Sequence, residues 1–420
     1  MVVHKNTDKT SPIPAEVISN DNGKAIEDEK KDTSWLESTS KALTDPNVSA
    51  RVRAVSDLRK HPSSETVYLL LNFLEDKDSA VVSEAIDTLG FIGLNSDTAD
   101  LVYEILEEKA RDKSFALRGQ ALVTAAIIGK NRVLPVVSDF MSEGNSHAKD
   151  LAVRALSLIG SPACVPYIEA LLPQIDDPEI RRNSFNILAK IDTSEALGLL
   201  QEYVHSSNDR DQTASAFALS RLNSPELNEM LADEIQEKRL EKDTLRALAT
   251  SPGAPSIFGD LLQRENAEKD QKVSWLKTLA KYSSAYGPSE RRTELKEAVE
   301  PLLDSPDATI QKEAIRAMAG IGAEDTDKAL IPKLESKDPE VRKETAFSLI
   351  GYVTPKNYKA LLDLLWDDDQ ETGRIALMCV EQFVDESDRE SLEKAKDHPD
   401  ELISKHASIL LDRVLASPVQ

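Results

Sequence analysis

The stretch DPEVRKETAFSLIG, which begins at Asp338, decides the fold of this chain. Asp338 is suited to cap a helix, because its carboxylate can accept hydrogen bonds from the first backbone N–H groups, which have no partner within the helix. Pro339 follows at the first helical position, where a missing N–H costs nothing. Val341, Thr345 and Leu349 then recur every four residues. The stretch therefore predicts an amphipathic α-helix with one buried stripe.

The same pattern recurs along the chain with a strict period. Its central small residue falls every 31 residues in three runs, which are Ala54 and Ala85, Ser184 and Ser215, and Ala314, Thr345, Ala376 and Ala407. Ala121 and Ala155 fit with looser spacing, and two irregular copies lie near Arg246 and Leu276. The chain thus contains about twelve copies of one unit.

Two helices of roughly twelve residues with two turns account for one period. Because a single helix pair cannot bury both of its faces, the pairs must stack. We therefore predict an all-α fold, a right-handed α-solenoid of about twelve stacked antiparallel helix pairs over residues 34–420. Irregular copies and a short insertion are expected at about 240–295. Residues 1–33 are polar, charged and rich in helix breakers, which predicts a disordered acidic and polar tail.

The pattern D-P-x-V-R-x-x-A-x-x-x-L with a period near thirty resembles HEAT repeats, and most nearly the short kind named after phycobilisome lyases. The resemblance covers the chain from about residue 34 to its last residue. It implies that the Asp-capped helix lines the concave face of the solenoid. It also implies a structural role for one arginine in each of several repeats, which should reach the capping aspartate of the adjacent repeat; these are Arg51, Arg118, Arg181 and Arg342.

Composition narrows the choice of partners. The formal net charge is -23, and nucleic-acid binders need a cationic surface to displace counterions from phosphates. An acidic field also disfavours binding to anionic membrane surfaces. The sequence contains no run of eighteen apolar residues, so it predicts no transmembrane helix. No signal peptide is evident at the start of the sequence. We expect a cytoplasmic chain that inserts into no membrane and binds no nucleic acid.

The residues that carry chemistry form no recognisable constellation. The six histidines include no pair at helical spacing and none followed by Glu, which is the iron-binding pattern of the HEAT-repeat deoxyhypusine hydroxylases. Cys164 and Cys379 are too far apart in the sequence to suggest a zinc or disulfide motif. We predict no catalytic, cofactor-binding or metal-binding residues, and a non-enzymatic scaffold for a protein or peptide. The alternative, implied by the resemblance, is bilin lyase-like chromophore attachment or another HEAT-repeat modifying enzyme.

One basic pattern stands out in the last four copies. A cation lies two residues before the central small residue in each of them, at Lys312, Lys343, Arg374 and Lys405. Because these positions are one repeat apart, stacking should align them as a ladder. One interpretation is that the ladder binds an acidic or phosphorylated peptide. The other is that the cations pair with neighbouring Glu and Asp on a solvated surface.

Overall fold

A computed structural model of the chain describes residues 39, 41–42, 44–281 and 289–416. Two compact units divide these residues, one up to Thr98 and one from Ala99 onward. The predicted tail, residues 1–33, and part of the predicted insertion, residues 282–288, lie outside the described residues. Throughout the described ranges the secondary structure is helical, with connecting turns and no strand. The all-α fold predicted from the sequence is confirmed.

The helices follow the predicted pairwise order. Up to the boundary between the units they are α1 Val48–Asp57, α2 Ser64–Phe73, α3 Ser79–Ile92 and α4 Ser96–Arg111, the last of which contains the boundary. Those that follow are α5 Arg118–Gly129, α6 Leu134–Met141, α7 Ser146–Ile159, α8 Val165–Leu171, α9 Pro178–Ile191, α10 Ser194–Val204, α11 Asp209–Ser220, α12 Pro225–Gln236, α13 Lys242–Ala249, α14 Ala254–Gln263, α15 Lys269–Lys281, α16 Ser289–Val299, α17 Ala308–Ile321, α18 Thr326–Leu330, α19 Pro339–Leu349, α20 Lys359–Leu362, α21 Gln370–Val380, α22 Arg389–Ala395 and α23 Glu401–Ala416. Odd numbers mark the first helix of a repeat and even numbers the second.

Aspartates begin the first helices of the last four repeats, as the sequence predicts. These N-caps are Asp307, Asp338, Asp369 and Asp400. Asp338 accepts the backbone N–H of Glu340 at 2.9 Å. Asp369 accepts both the N–H of Thr372 at 3.0 Å and its hydroxyl at 2.7 Å. The acidic run around Trp366 therefore contains a helix cap.

The buried stripe of the repeat faces the core. Val341, Thr345 and Leu349 are buried, and the Thr345 hydroxyl donates to the Val341 carbonyl at 2.7 Å, so burial leaves it satisfied. In the repeat of α7, the position seven residues after the N-cap Asn145 is Ala152 rather than Ala155, the residue chosen from the sequence. Both alanines are fully buried, so apolar character alone does not show which one occupies the central position. The position of the N-cap Asn145 identifies Ala152 as the central residue.

Consecutive first helices pack directly on each other throughout the second unit. The helices α15 and α17 approach each other closely at Gly320. A Cβ built at Gly320 would lie 2.4 Å from the Ala280 carbonyl oxygen and 2.7 Å from the Ala280 Cα. Glycine is therefore required there, because any side chain would push two helix backbones apart.

Arginines at one repeated position join several repeats to the next. In α19, the Arg342 guanidinium donates from Nε to Asp367 at 2.6 Å and from a terminal nitrogen to its other oxygen at 2.9 Å. A third bond from Arg342 reaches the Ser336 carbonyl at 2.8 Å. Arg51 makes the same bidentate pair with Asp76.

The resemblance correctly predicts that these arginines bridge repeats, but the predicted partner is wrong. Asp76, Asp367 and Glu143, the partner of Arg118, each lie two residues before the N-cap of the next helix. The partner of Arg181 is Asp211, within the first turn of the next helix. Two of the next N-caps, Asn145 and Asn208, carry no negative charge, so a nearby acid receives the guanidinium instead.

One stretch is long and apolar enough to be compared with a membrane span. Residues Arg118–Met141 have a mean hydropathy of 1.3, and 56% of the apolar window is buried inside the fold. The stretch comprises α5 and α6, and Lys130 between them has φ of 50°. It is the single such stretch within the ranges the structure describes, and its burial is that of core helices.

We predict that Gly320→Ala lowers the free energy of unfolding by about 1–3 kcal/mol, because the added methyl must overpack the contact with Ala280. Gly198→Ala in α10 is the matched control: a Cβ added to Gly198 would have no atom within 4 Å, so the better helix propensity of alanine should stabilise by up to about 1 kcal/mol. Urea titration followed by circular dichroism checks both variants. Equal midpoints for the two would contradict the close approach.

We predict that Arg342→Met destabilises the fold by about 3 kcal/mol, because it leaves the buried carboxylate of Asp367 without its cationic partner. The side chain of Asp367 is only 3% exposed. Arg182→Met serves as control, since Arg182 pairs with Glu179 on an exposed surface, and its loss should change stability by less than about 0.5 kcal/mol. A similar small effect of both substitutions in urea titration would show that the bridge contributes little.

Candidate partner-binding face

The ladder residues occupy one repeated position on successive first helices. Each lies five residues after its N-cap, in α17, α19, α21 and α23. Residues two, five and nine after the cap fall within about 60° of one another around a helix that turns about 100° per residue. We call the surface formed by these three positions on the four helices the ladder face.

Acidic neighbours hold the first two ladder cations. The Lys312 ammonium lies 3.5 Å from Glu340. Lys343 bridges two acids, Glu340 at 2.8 Å and Glu371 at 3.3 Å. The hydrogen bond from Lys343 is the main cause that lowers the pKa of Glu340 below its ordinary value. These two cations are therefore largely neutralised by the ladder face itself.

The last two ladder cations differ from each other. Arg374 donates from Nε to the buried carboxylate of Asp400 at 3.0 Å, so it acts like the arginines that join repeats. Lys405 is exposed, and it forms no ion pair within the described ranges. The four positions thus recur on successive first helices, with three of the four cations paired to acids. That the ladder binds a partner stays a prediction.

A row of exposed apolar side chains accompanies the ladder, and sequence reasoning missed it. Phe347, Met378 and Ile409 lie nine residues after their N-caps and are 61%, 67% and 58% exposed. Each lies one helical turn beyond a ladder cation, at Lys343, Arg374 or Lys405. The signal was present in the sequence, because the three residues are spaced by the 31-residue period. We call them the apolar row.

The apolar row has a defined beginning. In α17 the equivalent position is Arg316, which donates to the buried Glu313 at 2.9 Å and also bonds Glu344 of the next repeat. Further apolar side chains flank the row on the same face, namely Ile350 and Leu402, each 45% exposed. Exposed apolar residues that are contiguous rather than scattered mark interaction sites. The three repeats from α19 onward therefore carry the candidate partner-binding surface.

The described residues include no group of three or more His, Cys, Asp or Glu side chains arranged to hold a metal ion. Both cysteines are buried free thiols. Burial raises the pKa of the Cys379 thiol to about 11, which keeps it protonated and unreactive at neutral pH. The Trp366 and His398 rings are in contact, with centroids 4.6 Å apart and an angle of 58° between their planes. These groups have structural explanations within their repeats.

The fold and its repeated caps define a helical-repeat protein of the kind that presents extended surfaces. Residues 36–112, 141–220 and 295–381 match the family model of HEAT repeats. Because these ranges cover more than half of the chain, it belongs to the HEAT-repeat family. The resemblance stated from the sequence is confirmed at that level, and the short lyase-type subclass stays a prediction.

Comparison with solved structures finds chains of low sequence identity and low TM-score. The crystal structure of an engineered protein is 21% identical, covers 91% of this chain and 100% of its own, and gives a TM-score of 0.31. A chain in a Kap95:Nup1 complex is 14% identical, covers 92% of this chain and gives a TM-score of 0.39. The present chain spans 57% of the length of that second protein. Comparison with curated proteins gives no match.

We predict that Asp400→Asn lowers the melting temperature at pH 7 and that the difference from the wild type disappears in acid. The hydrogen bond from Arg374, against the opposing effect of burial, holds the pKa of Asp400 below its ordinary 3.8. A carboxylate with a lowered folded-state pKa stabilises the fold above pH 3.8, and this contribution is lost as pH falls through the folded-state pKa. Asparagine still caps the helix, so the comparison isolates the charge.

Melting curves from pH 7 to roughly pH 2 on both proteins test this. Repeating the comparison in an Arg374→Gln background should shrink the pH-dependent difference, because the main cause of the shift is then absent. A difference that stays constant from neutral pH into acid would contradict the assignment.

Proposed function

We propose that this chain is a non-enzymatic scaffold that binds a protein or peptide along the ladder face, the side that the resemblance assigns to the concave surface. The observation that carries the proposal is the apolar row, three large exposed side chains at one repeated position beside a line of cations. Helix-repeat proteins present such rows to extended partners because each repeat adds one equivalent contact. A cytoplasmic location is part of the proposal and rests on the sequence.

The geometry supports different roles for the two rows. Apolar side chains that are about 60% exposed gain free energy when a partner covers them. Cations already paired to acids gain little from a second carboxylate. We therefore assign affinity to the apolar row and assign orientation of the partner to the ladder, mainly through Lys405. The partner that fits is a segment with spaced apolar side chains and acidic residues along one edge.

The spacing of the apolar row suits a helical partner. Packed helices lie about 8–10 Å apart, so neighbouring members of the row should be separated by that distance. On an α-helix, residues seven apart are separated by about 10.5 Å along the axis. A partner helix laid across α19, α21 and α23 could therefore present one apolar side chain to each repeat.

We predict that Phe347→Gln, Met378→Gln and Ile409→Gln combined reduce partner capture at least about tenfold, which corresponds to about 1.4 kcal/mol. Glutamine keeps the helix propensity of these positions, so thermal melting should be unchanged. The measurement is capture from native lysate with cross-linking and quantitative mass spectrometry. Ile127→Gln with Leu158→Gln is the control, because both are exposed apolar residues of other repeats.

A second arm tests the ladder with Lys405→Glu. This site is chosen because reversing Lys312 or Lys343 would also place like charges beside Glu340 and Glu371. Capture should weaken, and the loss should diminish at high salt, which screens exposed charges. If the triple variant captures the same proteins in the same amounts as the control, the proposed surface is wrong.

A further inference from the structure

A cationic cleft lies between α13 and α15, outside the four repeats that form the ladder face. Lys242 and Arg246 line it from α13, one turn apart, and Lys277 and Lys281 line it from α15, also one turn apart. The cleft has a volume of about 510 Å³, and the one carboxylate among its lining residues is Asp270. Four cations facing one acid are unusual in a chain with a net charge of -23.

The position of Arg246 connects the cleft to the ladder. Arg246 lies five residues after the start of its repeat at Glu241, the same position as Lys312 and Lys343 in theirs. The sequence placed a repeat near Arg246 but did not assign this cation to the ladder position, because the irregular copies break the 31-residue period. Lys277 lies nine residues after Glu268, the position of the apolar row. The cleft therefore faces the same side of its helices as the ladder face.

At Lys242 and Lys277, neighbouring acids neutralise this cleft less than they neutralise the ladder at Lys343. Lys277 lies 3.8 Å from a Glu313 oxygen that Arg316 already engages at 2.9 Å. Arg246 lies 3.3 Å from Asp243, and both side chains are exposed, so the pair is weak. Lys242 forms no ion pair within the described part of the chain. Lys343, by contrast, is held between two glutamates.

We propose that this cleft binds a phosphoryl group carried on a peptide segment of the partner. This proposal rests on the proposed function, and it gives the same partner a second and chemically distinct contact. A phosphoserine or phosphothreonine carries about -1.5 to -2 charges and three acceptor oxygens, so it can be bonded from both helices at once. A single carboxylate carries less charge and fewer acceptor oxygens, so it could bond fewer of the lining cations at once.

The surroundings argue against a nucleic acid as the source of the phosphate. Binding a duplex or a single strand requires a cationic surface that follows the backbone over many phosphates. Here the adjacent repeats present Lys312 and Lys343 with their charges already paired to glutamates. A polyanion entering the cleft would meet carboxylates on leaving it. One phosphoryl group on an otherwise adaptable peptide fits this isolated site.

The test uses the purified full chain and three probes, namely a randomised phosphoserine peptide pool, the same pool with serine, and the same pool with glutamate at that position. We expect the phosphorylated pool to bind at least about tenfold more tightly than either other pool by fluorescence anisotropy. Inorganic phosphate should compete only weakly. The proposal would be overturned if the phosphorylated pool did not bind, or if the glutamate pool bound as tightly as the phosphorylated pool. It would also be overturned if inorganic phosphate competed as strongly as the phosphorylated peptides do.

Variants separate this inference from the proposed function. Lys242→Gln with Lys277→Gln should reduce binding of the phosphorylated pool at least about tenfold, whereas Lys238→Gln, a nearby exposed lysine paired with Glu268, should not. Melting curves confirm that all variants fold. The Gln variant of the apolar row should keep most of the phosphopeptide binding. If the phosphorylated pool does not bind while partner capture still depends on the apolar row, the proposal for the cleft is wrong and the proposed function stands.

Discussion

The structure depends on one constraint, which is that a single helix pair of this chain has two apolar faces and can cover neither by itself. Every repeat must therefore carry the same buried positions, and neighbouring first helices must come close enough to share them. Small residues at the centre of the first helix serve this need in most repeats. In α15 the central position is instead the buried Trp275, and Gly320 of α17 admits the backbone of α15 at Ala280.

Close stacking also brings the polar turns of successive repeats together, and the chain meets their hydrogen-bonding needs with a repeated device. The backbone N–H of each late N-cap residue is accepted by the side chain two residues earlier, at Ser305, Ser336, Asp367 and His398. Because the position needs a hydrogen-bond acceptor rather than one residue type, hydroxyl, carboxylate and imidazole groups replace one another. Where the acceptor is an aspartate, it also receives the bridging arginine of the previous repeat.

Side chains that the stack does not need for stability remain on the first-helix surface, where we propose that the partner binds. Along the ladder, most cations meet an acid supplied by the next repeat, so charge is balanced locally. Two features of the described first helices differ from this pattern. One is apolar, the row at Phe347, Met378 and Ile409, and the other is cationic, the cleft at Lys242 and Lys277. Together they suit a partner segment that combines apolar side chains with a concentrated negative charge.

The sequence by itself determined the helical class, the 31-residue period and the capping aspartates, because these follow from local hydrogen bonding and from the spacing of apolar residues along one chain. It also located the four ladder cations by number. It could not identify the partners that following repeats contribute, which are Glu340 for Lys312, Glu371 for Lys343 and Asp400 for Arg374. It predicted that Thr345 is buried, but it did not show that Phe347, two residues later, is exposed: the exposure of Phe347 depends on which helix face the neighbouring repeats cover. Only the tertiary structure decides this, because burial is a property of stacked helices and not of one repeat.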